Sequence, residues 1–164
     1  MSSFSHRLAL KKDFDAVYEL YMDENMNRFL TYDPMEKQEF ETIYNDLLGT
    51  STLYVVEFGN DIVASYRLVR KTNRESGTAY LGGFVVRNSS QGTGVGTKII
   101  SHIKDTLRQN KIKRIELTVN IDNEQGIRFY KKHGFDVEGH IRKSYKLSST
   151  GNYYDEYIMA FIYD

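Results

Sequence analysis

The stretch Thr78–Val119 constrains this chain more than any other. A strand-like run, Thr78–Val86, passes through the glycine-rich turn Arg87–Gly94 into a segment that puts Val95, Ile99, Ile100, Ile103 and Leu107 on one helical face. A second run, Ile112–Val119, follows. There Ile112, Ile115, Leu117 and Val119 alternate with Arg114, Glu116 and Thr118, apart from one slip near the start. Two strands joined by a helix lie parallel, because neighbouring parallel strands need a long, right-handed crossover. The expected architecture is therefore α/β, more fully an α+β mixed sheet built around a parallel pair.

The remaining elements are read from local chemistry. His6–Leu10 reads as a short first strand, and Asp13 is placed to cap a helix in which Phe14, Val17, Tyr18 and Tyr21 recur at helical spacing. The polar segment Asn25–Pro34 interrupts. Pro34, the only proline, suits the first turn of a second helix that runs to about Leu48 before Gly49 ends it. Thr52–Phe58 and Ile62–Val69 are predicted to form a hairpin across Gly59-Asn60-Asp61. Gly82-Gly83, inside a strand, marks a bulge or a close backbone approach. Asn123–His133 reads as a short helix ended by Gly134, where a cationic His133 would suit the helix dipole. Phe135–Leu147 and Tyr153–Tyr163 close the chain as two strands. With no repeat or linker, one domain is expected over residues 1–164, in the order β-α-α-β-β-β-α-β-α-β-β.

Composition narrows the function classes. Lys plus Arg and Asp plus Glu both number 22, so the chain lacks the net field that draws proteins to nucleic acid or anionic membranes. It has no cysteine, which removes disulfides, thiolate metal sites and cysteine nucleophiles and suits a reducing cytosol. Neither a signal peptide nor a long apolar run is seen, so a cytoplasmic protein is expected.

The segment from Val86 to Lys98 is the sharpest motif. The first N–H groups of a helix lack intrahelical partners and carry the positive end of its dipole, and glycines let a phosphate approach them. A P-loop needs G-x-x-x-x-G-K-[ST], but Gly92 to Gly96 is one residue short and Thr97 precedes Lys98. A dinucleotide fingerprint, G-x-G-x-x-G, would need glycine at Thr97, although Glu116 could mimic its acidic ribose ligand. The pattern that matches is [QR]-x-x-G-x-[GA], in Gln91-Gly92-Thr93-Gly94-Val95-Gly96. It resembles the acetyl-CoA pyrophosphate loop of the GCN5-related N-acetyltransferase (GNAT) family. Asn123-Glu124-Gln125-Gly126-Ile127-Arg128-Phe129-Tyr130-Lys131-Lys132-His133-Gly134-Phe135 resembles the family's N-x-x-[AG]-x-x-x-Y-x-x-x-G-F segment, and the element order agrees over about residues 6–163.

The resemblance implies a GNAT-like fold whose parallel strands Thr78–Val86 and Ile112–Val119 splay apart to hold acyl-CoA. Backbone groups of Phe84, Val85 and Val86 would pair with the pantetheine arm, and the pyrophosphate would lie on Gln91, Gly92, Thr93, Gly94, Val95 and Gly96, with Thr97 adding a hydroxyl. Asn123 would hydrogen-bond the cofactor arm, cap its own helix, or both. Tyr130 matches the family tyrosine beside the cofactor sulfur. Some members carry a base glutamate five residues before the Asn, where this chain has Thr118, so Glu116 on the same strand face is the first base candidate. His102, His133 and Tyr80 follow. Tyr32, Asp33, Tyr153, Asp155 and Glu156 would surround a cationic amine. The implied activity is N-acetyl transfer from acetyl-CoA, without a metal, to a small-molecule or peptide amine, an amino acid or a protein N-terminus. No nucleic-acid or membrane partner is implied, and a homodimer is allowed. The alternative is a non-catalytic acyl-CoA-binding module.

Overall fold

The computed structural model describes residues 3–164. The strands are β1 (Phe4–Leu8), β2 (Leu53–Phe58), β3 (Asp61–Arg70), β4 (Thr78–Val86), β5 (Arg114–Asn120), β6 (Asp136–Lys146) and β7 (Tyr153–Ile162). The helices are α1 (Phe14–Tyr21), α2 (Lys37–Gly49), α3 (Val95–Gln109) and α4 (Glu124–Lys132), with short 3-10 turns between some elements. This is the expected order. The strands pair in the order β1-β2-β3-β4-β5-β7-β6, with β4 and β5 parallel. The last strand thus lies between β5 and β6, antiparallel to both. Among the described residues two compact units are distinguishable, one running to Leu68 and including Gly83–Gly96, the other made of Val69–Gly82 and Thr97–Asp164.

In the first unit, α1 and α2 bury an aromatic cluster with β2. Val17, Tyr21, Phe40, Tyr44, Leu47, Leu53 and Val55 form its centre, and Phe14, Tyr18 and Tyr32 pack against it. Ring centroids of Tyr21 and Phe40 lie 5.5 Å apart, and Phe14 meets Tyr44 edge-on at 5.4 Å. Such pairs contribute beyond their buried area. The buried Asn27 ties the segment after α1 in place, its amide donating to the carbonyls of Tyr21 and Tyr32 at 2.8 and 3.0 Å.

Three expectations change here. The first strand starts at Phe4 rather than His6. Pro34 stays outside α2, which begins at Lys37 after Glu36. Asp13 makes no side-chain cap to α1. Its carboxylate instead accepts from the Leu10 N–H at 2.8 Å and from both terminal nitrogens of Arg7 at 2.6 and 2.9 Å. Burial alone would raise the Asp13 pKa, but the Arg7 and Leu10 hydrogen bonds outweigh it and hold the carboxyl below its ordinary value. The β2–β3 hairpin forms as expected, but Asp61 belongs to β3 and faces Phe58, so the turn is Gly59 and Asn60 alone, with Gly59 at φ +65°.

In the second unit the periodic faces are buried as read from the sequence. Ile99, Ile100, Ile103 and Leu107 of α3 are fully buried, as are Ile115 and Leu117 of β5 with Met159 of β7. Gly134 follows α4 at φ +84°, a conformation that glycine adopts without strain. A Cβ there would press on the Phe161 ring at 3.2 Å.

Candidate active site

The glycine loop leaves β4, makes a 3-10 turn at Asn88–Ser90 and enters α3 at Val95. Gly92 and Gly94 adopt φ +73° and +85°, which L side chains rarely tolerate. A Cβ added at either would meet no atom within 4 Å, so the space over the loop is open. Gln91 braces it from beneath, its amide donating to the Val86 carbonyl at 2.9 Å, and the Thr93 hydroxyl closes onto the Ser90 carbonyl at 2.5 Å. An open glycine loop at the N-terminus of a fifteen-residue helix has the form needed to hold a pyrophosphate. The Thr97 hydroxyl lies 3.2 Å from His133 Nε2. Burial and the neighbouring Lys104 and Lys132 lower the His133 pKa, which corrects the expectation of a cationic helix end.

The parallel ladder between β4 and β5 is short. Thr78, Ala79 and Tyr80 pair with Arg114, Ile115 and Glu116, and there the register ends. Just beyond it the Tyr80 hydroxyl and Thr118 Oγ1 are 3.3 Å apart. Tyr130, on α4, packs edge-on against Phe135 with centroids 5.6 Å apart. Burial, with a smaller contribution from Tyr80, pushes its phenol far above the ordinary range, so it stays protonated. Asn123 caps α4, accepting from the Gly126 N–H at 2.9 Å.

Glu116 is not the free base that its position suggested. Lys71 Nζ lies 2.5 Å from Oε1 and Arg114 Nε 3.0 Å from Oε2, so both oxygens are paired. Burial works to raise its pKa, but the Lys71 and Arg114 hydrogen bonds outweigh it and hold the carboxyl below its ordinary value. A carboxylate stabilised as an anion on both oxygens is a poor proton acceptor. Glu116→Gln is therefore expected to leave the acidic limb of the pH–rate profile unchanged and to cost about 1–3 kcal/mol of stability. That contribution is present above the ordinary glutamate pKa and is lost as pH falls through the depressed one. Denaturant titration beside the rate profile checks both, and a displaced acidic limb would restore the base role.

The residues expected around the acceptor fall into two groups. Tyr32 and Asp33 follow the turn after α1, and Tyr32 lies against Tyr21 at 6.0 Å. Tyr153 and Asp155 line an open depression of about 630 Å³ with Ile121, Asp122, Lys143 and Tyr154. Asp155 is already engaged, with His140 Nε2 and the Lys143 N–H each 2.7 Å from its oxygens. Glu156 accepts from the Ser144 hydroxyl. His102 lies exposed on α3.

A model of the acetyltransferase (GNAT) family matches residues 14–135. The chain belongs to the GNAT family. An Escherichia coli (strain K12) L-amino acid N-acetyltransferase, AaaT, is 50% identical over 50 residues, 30% of each chain. A 5-NmdU N-acetyltransferase of Pseudomonas phage PaMx11 is 33% identical over 87 residues, 53% of this chain and 59% of the relative. The chain thus spans less than two thirds of the length of these curated relatives. Among solved structures, a Vibrio cholerae spermidine N-acetyltransferase in complex with CoA and spermine superposes with a TM-score of 0.81 at 21% identity, covering 97% of this chain and 95% of the other. Among the described residues no helix is long and apolar enough to cross a membrane.

Two polar residues of this GNAT chain escaped the sequence reading. The Tyr21 hydroxyl and Arg67 Nε are buried without a hydrogen-bond partner. Tyr21 was read as one more apolar position of its helix. The only signal for Arg67 was a charge inside the otherwise apolar run Ile62–Val69.

Proposed function

We propose that the chain is an N-acetyltransferase that moves acetyl from acetyl-CoA to a primary amine of a small molecule, an amino acid or a protein N-terminus. The open glycine loop, with Gly92 and Gly94 in glycine-only conformations inside a family match over residues 14–135, carries this reading. Backbone groups of Phe84–Val86 would take the pantetheine arm, Gln91–Gly96 with Thr97 the pyrophosphate, and Asn123, beyond its capping bond, the cofactor arm. The co-substrate supplies an activated acyl group on a thiol leaving group. The N–C bond forms as the C–S bond breaks, and the proton lost by the amine ends on the thiol. Tyr130 donates a hydrogen bond to the sulfur as charge develops there.

With Glu116 held in ion pairs, the reading uses no carboxylate base, so the amine is captured neutral. A lysine-like amine, with a pKa of about 10.4, is almost wholly protonated at neutral pH, whereas the α-amine of a peptide N-terminus, at about 7.7–8.0, is partly neutral. The rate with a peptide α-amine is thus expected to rise with pH and level off above about pH 8. Free-thiol release across a panel of amines, run from pH 6 to 9, tests both points. A protein that binds acetyl-CoA in calorimetry yet releases no thiol above its own hydrolysis rate with any amine is a binding module. In that case the enzymatic reading falls.

A further inference from the structure

We propose that Arg67 and Tyr21 form an anion-recognition corner of the acceptor site, selecting amines that carry a carboxylate next to the amino group, that is, free α-amino acids. This rests on the acetyltransferase reading and narrows its acceptor class. Tyr21 is 1% exposed, and its hydroxyl has no partner. Other phenols of the chain are satisfied: Tyr18 donates to the Met35 carbonyl at 2.8 Å, Tyr44 to that of Leu10 at 2.6 Å and Tyr163 to that of Lys104 at 2.5 Å. A buried hydroxyl left unpaired costs free energy, and such groups in native folds call for an explanation.

Arg67 repeats the pattern. Arg7, Arg87 and Arg114 each hold a carboxylate, whereas Arg67 makes no ion pair among the described residues and its buried Nε–H is unpaired. The two side chains meet over one residue. A Cβ placed on Gly83 would lie 2.8 Å from the Tyr21 hydroxyl and 4.0 Å from Arg67 Cγ, and Gly83 itself adopts φ +55°. The close approach expected at Gly82-Gly83 is thus made by Tyr21, and any side chain there would fill the corner. Gly83 directly precedes Phe84–Val86, the backbone proposed for the pantetheine arm, so these groups belong to the reacting end of the cofactor. Tyr32, expected on the acceptor wall, lies against Tyr21.

The chemistry of the corner selects its ligand. The Arg67 Nε–H is a donor, and burial pushes the Tyr21 phenol up, so it keeps its proton and can donate as well. A guanidinium with no carboxylate partner beside a protonated hydroxyl complements an anion with oxygen acceptors. Of the acceptors in the proposed function, a free α-amino acid brings a carboxylate adjacent to the amine. A protein N-terminus offers a neutral amide there, and a polyamine offers more positive charge.

The test compares kcat/KM for glycine and the primary L-α-amino acids with that for their C-terminal amides, in the wild type, Arg67→Gln and Tyr21→Phe. Each value is expressed per neutral amine, because the adjacent carboxylate raises the amine pKa of the acid above that of its amide. The acids are expected to exceed their amides by about 10–10²-fold in the wild type. Arg67→Gln is expected to collapse that ratio through KM for the acid, with the KM for acetyl-CoA unchanged, and Tyr21→Phe to reduce it in part. Equal rates per neutral amine for acids and amides in the wild type, a comparison that needs no variant to fold, overturn the corner while leaving the acetyltransferase reading intact. If no amine is acetylated, the functional reading is what fails, and calorimetric binding of the acids against their amides then reads the corner directly. Tighter acid binding that Arg67→Gln removes supports it, and equal binding overturns it.

Discussion

Tyr130→Phe is expected to lower kcat by about 10²–10⁴-fold, the range for a positioned proton or hydrogen-bond donor. Phenylalanine keeps the ring that packs edge-on against Phe135, with centroids 5.6 Å apart, and removes only the hydroxyl. Burial holds the phenol protonated far beyond neutral pH, so the contribution proposed for it is a hydrogen bond to developing charge rather than release of its own proton. Such a bond acts on the leaving sulfur far more than on the bound thioester, so acetyl-CoA affinity should change much less than kcat. Thermal stability should be retained. Single-turnover rates with calorimetry of acetyl-CoA separate the two quantities. Turnover within about threefold of wild type would leave Tyr130 as a packing residue.

Gly96→Asp is expected to abolish detectable acetyl-CoA binding. Gly96 lies in the first turn of α3, whose free N–H groups and positive dipole end would face the pyrophosphate. An aspartate there places a negative charge and a side chain in the path of a dianionic group. Aspartate is also well tolerated in a first helical turn, so the fold should survive. Gly94→Asp should have the same effect on binding but is the less clean variant. Gly94 sits at φ +85°, where a side chain costs of order 1–3 kcal/mol before any ligand is considered. Unchanged affinity in folded Gly96→Asp protein would remove the loop as the pyrophosphate site.

Much of the scaffold was legible because its signals are local. The amphipathic period of α3, the alternation of β5, the hairpin glycine and Gly134 each express backbone geometry within a few residues. Boundaries were less secure. Pro34 suits a first helical turn, yet α2 begins only at Lys37. Asp13 has the chemistry of an N-cap, but Arg7 engages both oxygens of its carboxylate in charge-assisted hydrogen bonds, a bidentate partner from β1 that no local pattern reveals.

By itself the sequence determined the parallel β4–α3–β5 unit, the glycine loop that opens α3 and the capped helix bearing Tyr130, and with them the family. These depend on which residues follow one another. Only the tertiary structure decided what faces what. It placed β7 between β5 and β6, and it brought Lys71 and Arg114 onto Glu116, turning a candidate base into a paired anion. It also brought Tyr21, Arg67 and Gly83, far apart in the chain, to one point with two donors unsatisfied. Propensity and periodicity say which way a side chain points, but the charge a titratable group can carry depends on neighbours that strand register and helix packing supply.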